Sequence, residues 1–499
     1  MSQHYPALTV IIPLIGALLA PLAAYLSKGL VRLLSITAVF AAFLTSAAAL
    51  GRALAEGTWH YVFAGWAPPW GIEYVIDPLS GGITVLITFI GFMVAIYGLP
   101  FLKEETWLKQ GLHYALYLLI ISGLLGMVST GDLFNLYVFL EISSLATYGL
   151  IASGGYRSTV AAFRYLIIGT AGASFYLLGI GYLYGVTGTL NMADMAEKLQ
   201  PIMDSPAVII GLVLIFIGLG LKMALFPMHG WLPDAYTFAP PAVIPFIAGV
   251  ATKVPAYVLL RMFFHIVEAG SGPVPAILGV IGWVAALGII LGSVMAIAQS
   301  DFRRMLAYSS VAQVGYIALG FAIGNTYGLI GAVLHIFNHA IMKSCLFLVA
   351  GGVKWRTGQH SISRYLELSG RMPLTMGAFA IAAMSMVGLP PTAGFFSKWY
   401  LVLGAINAGK WPFIVVIILS SLLNAVYFFR VIENSFIKKH AGDNQVMEDR
   451  LKNKKGFWEL PTAMLIPIVV LGVGILLLGI FNEQIVSQVL QYTLPGGGQ

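Results

Sequence analysis

Charge is what this chain has least of. Asp, Glu, Lys and Arg make up 9% of its 499 residues, while apolar residues reach 59%; soluble proteins carry about 25% charged residues. The single cysteine, Cys345, excludes intrachain disulfides and any cysteine-based metal cluster. No G-x-x-x-x-G-K-[ST], G-x-G-x-x-G or C-x-x-C-H occurs, so nucleotide, dinucleotide and covalent-haem chemistry have no visible seat. Polar stretches are also scarce. Only 52-76, 186-206, 354-371 and 436-458 are long enough to be loops, which leaves no room for a soluble catalytic domain. No cofactor and no catalytic site within the chain itself are expected.

Apolar runs of about 20 residues, the length that crosses a bilayer, recur throughout. Hydropathy predicts 14 spans, at 6-26, 30-50, 77-99, 111-129, 132-152, 160-185, 207-228, 242-265, 274-298, 305-324, 326-352, 373-406, 411-434 and 460-481. The fold class is therefore an all-α polytopic membrane protein. The segment from Tyr5 to Leu26 has no basic n-region and no A-x-A site after it, so it reads as the first span and not as a signal peptide.

Sorting the loops alternately onto two sides puts 19 of the 27 Lys and Arg on one side, from Lys28 and Arg32 through Arg303 and Arg304 to Lys455. The other side holds only Arg52, Lys198, Arg261 and Lys410. By the positive-inside rule the rich side is cytoplasmic and both termini face outward from the cell inner (plasma) membrane. The net charge of +7 is thus topological; the expected partner is the lipid bilayer, and nucleic acid is not.

The remaining four lysines and one glutamate lie inside the spans: Glu141 in NLYVFLEISSLATYGL, Lys222 in FIGLGLKMALF, Lys253 in IAGVATKVPAYVL, Lys343 in FNHAIMKSCLF and Lys398 in TAGFFSKWYLVL. An ionisable group at bilayer depth costs several kcal/mol and marks an ion or proton pathway by default. Two spans carry helix breakers beside such a lysine. In span 7, Lys222 precedes Pro227, Gly230 and Pro233; in span 12, Gly388, Pro390, Pro391 and Gly394 precede Lys398. Proline removes a backbone donor, and interrupted helices at corresponding places point to an inverted repeat around an ion site. Five spans separate them. The chain accordingly divides into a three-helix segment (1-110), a first repeat of spans 4-8 (111-265), a second of spans 9-13 (274-434), and a loop with a last helix (435-499).

Glu141 and Lys222 can pair if spans 5 and 7 touch, as a switchable pair or a static one. His335, His339 and Lys343 recur every four residues, so they share one helix face about 6 Å apart along the axis, a spacing that suits a proton relay through bridging water. H-x-x-x-H also suits zinc, but no third ligand lies on that face and no metal is expected. Lys253 and Lys398 have no acidic neighbour in sequence, so each must be hydrated, partnered from another helix, or neutral. His229 and Asp234 stand at the mouth of span 7, as proton feeders or, for Asp234, as a helix cap. Asp77 and Asp132 are expected only to cap spans 3 and 5.

These segments resemble the antiporter-like family shared by Mrp-type multisubunit cation/proton antiporters, subunits N, M and L of respiratory complex I, and membrane-bound hydrogenases. The motifs are the Glu141 span, LKMALFPMHGWLPDAY, FAPPAVIPFIAGVATKVPAYVLLR, SDFRRMLAYSSVAQVGY, HIFNHAIMKSCLF and GLPPTAGFFSKW, and the likeness covers most of the chain. It implies that Glu141 and Lys222 form the switchable pair of a first half-channel, that Lys253 leads to the centre, and that Lys398 ends a second. Lysine at 398, retention of Lys253 and FAPP before span 8 look like the D-type component of Mrp antiporters; MHGWLPDAY looks closer to the complex I and hydrogenase members. Pro255 stands where the family usually has glycine. The favoured expectation is a proton-moving subunit of a Na⁺ or K⁺/proton antiporter working with other membrane subunits. The alternative is the pump subunit of a complex I-type oxidoreductase or a hydrogenase. One buried carboxylate offers too few oxygen ligands to define the cation.

Overall fold

The computed structural model describes residues 2–267, 270–438 and 458–488. Most of the polar 436-458 loop, expected as a surface helix or loop, lies outside them. Thirteen helices are long and apolar enough to cross a membrane. They are α1 Tyr5–Leu26, α2 Lys28–Glu56, α3 Pro78–Leu102, α4 Trp107–Ser129, α5 Leu133–Ala152, α6 Tyr156–Thr187, α7 Pro206–Met223, α8 Ile244–Ile266, α9 Val274–Ile297, α10 Phe302–Ile323, α11 Thr326–Thr357, α13 Trp411–Ile437 and α14 Thr462–Ile480. The remaining span, α12, is present as two half-helices, Pro373–Val387 and Ala393–Asn407. Each hydropathy span thus corresponds to helix. Between α2 and α3 the chain makes an antiparallel hairpin of β1 (Trp59–Val62) and β2 (Glu73–Ile76).

Burial sorts the helices by function. In α2, α9 and α13 less than half of the hydrophobic window is enclosed, as expected of helices that meet lipid. In α8, α10 and α11 the figure is 89%, 94% and 94%. α8 and α11 carry Lys253, His335, His339 and Lys343, so the most protected helices hold most of the groups that lipid would penalise.

The inverted repeat is written in duplicated backbone bonds. Asp132 caps α5 through Asn135 N, and Asp301 caps α10 through Arg304 N. Around each cap the chain pairs with the segment that follows the next helix. Leu133 N donates to Leu190 O and Met192 N to Gly131 O; Phe302 N donates to His360 O and Ile362 N to Ser300 O. Because α5 and α10 are separated by an odd number of crossings, the two brackets stand on opposite faces of the membrane.

Close helix contact comes from small residues, as expected where lipid removes the usual apolar drive for association. α6 and α7 meet at Gly172, Gly179, Gly211 and Gly218. A Cβ on Gly179 would lie 2.7 Å from Gly211 O, and one on Gly218 2.6 Å from Gly172 O. This seam sets the height of Lys222, one turn beyond Gly218. Gly179→Val is expected to cost about 1–3 kcal/mol by forcing the helices apart, whereas Gly185→Ala meets nothing within 4 Å and should be neutral. Thermal unfolding in detergent, followed by fluorescence-detected size exclusion, separates the two outcomes.

Candidate functional site

The first cluster joins α5 and α7. Lys222 ends α7, where the chain turns through a left-handed Ala224 at φ 60°. Its Nζ donates to Ser144 Oγ at 2.7 Å and to Tyr148 Oη at 3.3 Å, and lies 3.7 Å from Glu141 Oε1. The pair expected from sequence therefore forms, but without a direct hydrogen bond, and Glu141 Oε1 is buried with no hydrogen-bond partner among the described residues. At that separation attraction is about 4 kcal/mol for an effective dielectric of about 20, comparable to the cost of desolvating the ions. Lysine is 4% exposed and glutamate 24%, so the carboxylate is the half of the pair nearer the surroundings.

Beside Lys222 lies a cavity of about 20 Å³ lined by Ser143, Ser144, Thr147, Tyr165, Ala251 and Pro255, among others. This is room for one water. It reaches from the α7 lysine to α8, one turn from Lys253. α8 is not the continuous α-helix that the sequence suggests. Ile247–Ala251 forms a π-turn, after which α-helix resumes at Lys253. Pro255 has no N–H to give the carbonyl four residues back, and inserted π-turns commonly mark functional positions. Lys253 Nζ uses this irregularity, donating to Ala248 O and, at 3.1 Å, to Thr252 Oγ1. Of the alternatives that the sequence left open for Lys253, hydration, a partner on another helix or neutrality, none named these acceptors in α8 itself.

α8 touches α11 at this point. Ser344 Oγ donates to Pro245 O at 3.0 Å, and a Cβ on Gly249 would strike Ser344 Oγ. Lys253 thereby comes within Coulombic reach of His335, His339 and Lys343. Lys343 Nζ donates to Leu306 O at 2.8 Å and to Ser309 Oγ, both on α10. The His335 and His339 rings are nearly parallel with centroids 5.8 Å apart, as their spacing predicts. Both nitrogens of His339 are buried without a hydrogen-bond partner among the described residues.

His335 is held on both sides. Its Nε2 donates to Gln313 Oε1 at 2.9 Å, and Ser397 Oγ stands 2.9 Å from Nδ1. Ser397 also stands 3.1 Å from Gly394 O. With His335 neutral the hydroxyl donates to Nδ1; with His335 protonated Nδ1 donates and the hydroxyl turns to Gly394 O. Either state is satisfied by rotating one hydroxyl. The next residue is Lys398, whose Nζ donates to Met386 O and Val387 O at 2.9 Å and to Ser421 Oγ at 3.1 Å. The two carbonyls are those freed where α12 breaks, at the negative end of its first half-helix. Tyr316 bridges these groups, 5.4 Å from the His335 ring and 5.1 Å beneath Lys398 Nζ.

His229 and Asp234 lie apart from this series. Asp234 is not an N-cap; it sits in the first turn of Leu232–Phe238 and pairs with Arg164 at 2.8 Å and Arg304 at 3.0 Å, tying α6 to α10. Long-range pairing of this kind leaves no trace in local sequence. His229 stacks on Phe226, and its pKa is lowered by burial. Asp132 caps as expected, whereas Asp77 both caps α3 with Ser80 and pairs with Arg261 of α8. Ser144, Tyr148, Gln313, Tyr316, Ser397 and Ser421 escaped sequence reasoning. An amide inside the apolar run of α10 is the one signal that could have raised Gln313.

The series Glu141, Lys222, Lys253, Lys343, His339, His335 and Lys398 crosses both repeats. Residues 130–424 match the model of the NADH:quinone oxidoreductase/Mrp antiporter TM family. This chain belongs to that family. It is 57% identical over 498 residues to NADH-quinone oxidoreductase subunit N of Desulforudis audaxviator, covering 99% of each chain. Among solved structures, it superposes with a TM-score of 0.89 on a chain of the archaeal membrane-bound sulfane sulfur reductase, at 30% identity and covering 98% of this chain and 96% of that one. A chain of the Mrp complex from Dietzia sp. gives 0.85 at 26% identity, covering 97% and 96%.

If the α11 face conducts as one relay, the His335→Ala, His339→Ala double variant should depart from the sum of the single effects by at least about 0.5 kcal/mol in transport rate. Lys343→Ala should be more damaging than either histidine change, because water can replace a relay member but not the central charge. Stopped-flow pH-dye measurements on proteoliposomes of the assembled complex check both; simple additivity would mean that the histidines act separately.

Proposed function

We propose that this chain is the proton-translocating, antiporter-like subunit of a multisubunit, redox-driven membrane complex of the complex I or membrane-bound hydrogenase type. The observation that carries translocation is the chain of buried ionisable groups across α5, α7, α8, α11 and α12, whose four lysines are held by hydroxyls and carbonyls and whose first pair adjoins a cavity with room for a water. Glu141 and Lys222 act as the switchable pair of a first half-channel (111-265). Lys253 passes the charge state to α11. Lys343, His339 and His335 relay protons, and Lys398 ends the second half-channel (274-434). His229 and Asp234 belong to the mouth on the Arg-rich face, Asp234 by holding Arg164 and Arg304. The positive-inside count supports a plasma-membrane location with cytoplasmic Arg-rich face and outward termini.

The sequence alone favoured an Mrp-type antiporter subunit. The relative at 57% identity over 99% of both chains, named as a quinone oxidoreductase subunit, and the fit to the sulfur reductase chain favour the redox-driven host. Monovalent cation/proton antiport is kept as the second reading because the Mrp chain superposes almost as well, at a TM-score of 0.85.

The test is expression of the whole operon in an antiporter-deficient, Na⁺-sensitive host, with ΔpH recorded in everted vesicles. The expected outcome is proton movement only after an electron donor is added, with no rescue of growth at high salt. Na⁺- or K⁺-induced ΔpH without redox substrate would instead establish the antiporter reading.

A further inference from the structure

A cavity of about 180 Å³ lies beneath the β-hairpin and not in the series above. Its walls include His60, Glu73, Thr130, Val258 and Arg261. Glu73 is enclosed there, with a side chain 5% exposed. Its Oε1 accepts from Asn191 Nδ2 at 2.8 Å, and its Oε2 lies 2.8 Å from Nδ1 of the half-exposed His60. Arg261 is committed to Asp77 and, through Nε, to Tyr257 Oη at 2.8 Å, and Tyr257 Oη in turn donates to Val128 O at 3.3 Å. Burial alone would raise the Asp77 carboxyl, but the Arg261 charge and the Ser80 N–H outweigh it and the pKa lies below the ordinary value. The cation is thus neutralised, and Glu73, His60 and His265 are the other acid and imidazole groups in the cavity wall, Glu73 and His60 on its hairpin side.

This cavity and the small one beside Lys222 share one wall residue, Met127. Their other walls run in register along the same seam. Leu136 lines the outer cavity and Leu140, one turn on, the inner; Val258 lines the outer and Pro255 the inner. Met127 is 2% exposed, and Ser143 Oγ meets its sulfur at 3.9 Å. An unbranched thioether with three rotatable bonds can fill or vacate such a gap.

We infer that the hairpin-face cavity is a water-filled vestibule giving the Glu141–Lys222 pair a second access route, with Glu73 and His60 as its proton-exchanging mouth and Met127 as its plug. The first repeat would then be reachable from both membrane faces, through the α7 break on one and past Met127 on the other, with the methionine preventing a leak. The inference rests on the proton-translocating reading.

Access can be measured without measuring transport. In the full chain carrying Cys345→Ala, assembled in its complex, Ag⁺ is added from one membrane face and reaction is read as loss of maleimide labelling after denaturation. Val258→Cys should react from the hairpin face and not from the other. Ser143→Cys should react slowly while Met127 or Met127→Leu is present, and at least tenfold faster with Met127→Ala. A Val258→Cys that is unreactive from the hairpin face, or that reacts from the opposite one, overturns the vestibule. A Ser143→Cys rate indifferent to Met127→Ala overturns the plug. Since labelling reports access alone, either failure leaves the translocation reading standing, and loss of that reading would leave the labelling pattern unchanged.

Discussion

The cost of holding a cation inside a membrane protein governs this structure. At the centre of a span a lysine costs about 3 kcal/mol on insertion scales, and a hydrogen bond to a charged group returns about 1.5–3 kcal/mol. Two bonds are therefore enough to offset the cost, and each of the four lysines has at least two. Among the described residues, only Lys222 of the four has a carboxylate in reach. The other three rest on backbone carbonyls and hydroxyls, with acceptors at Ala248, Leu306, Met386 and Val387. Regular helix has few carbonyls to spare. The π-turn in α8 and the break in α12 supply them for Lys253 and Lys398, whereas Lys343 shares Leu306 O of the regular α10 and Lys222 rests on hydroxyls.

That arrangement makes each lysine sensitive to its neighbours. A group balanced by dipoles, with no fixed counter-ion, gains or loses a proton at modest cost when the charge beside it changes. Lys253 stands between the Glu141–Lys222 pair and the α11 series, separated from the first by a one-water cavity and from the second by the α8–α11 contact. In the proposed function, opening of the pair at one end is passed to the other through successive charge changes. The duplicated brackets around Asp132 and Asp301 tie each repeat to the segment that follows its next helix.

Much of this was legible in the residues. The spans were, because apolar length has few alternative readings, and so were the five intramembrane charges, because an ionisable residue stands out in an otherwise apolar run. The breaks at Pro227 and Pro390-Pro391 were readable for the same reason. The π-turn was not: a proline such as Pro255 can kink, break or widen a helix, and packing decides which. Nor were the serines. Ser144, Ser397 and Ser421 look like the many serines that merely bond their own helix, as Ser310 does to Leu306 O, and only the folded chain reveals which of them faces a lysine or histidine. Asp234 failed as a cap because its arginine partners lie 70 residues away in either direction. The host complex was not legible, because the two candidate hosts share the motifs from which it was argued.

The claim on which the account turns is that Glu141 and Lys222 switch and do not merely hold helices together. The decisive measurement is proton translocation by the purified, reconstituted complex, with electron transfer and subunit assembly quantified in the same preparation. The account predicts that Glu141→Ala and Lys222→Ala each abolish translocation in a complex that still assembles, and that Glu141→Asp retains part of it. Normal translocation by either alanine variant would contradict it.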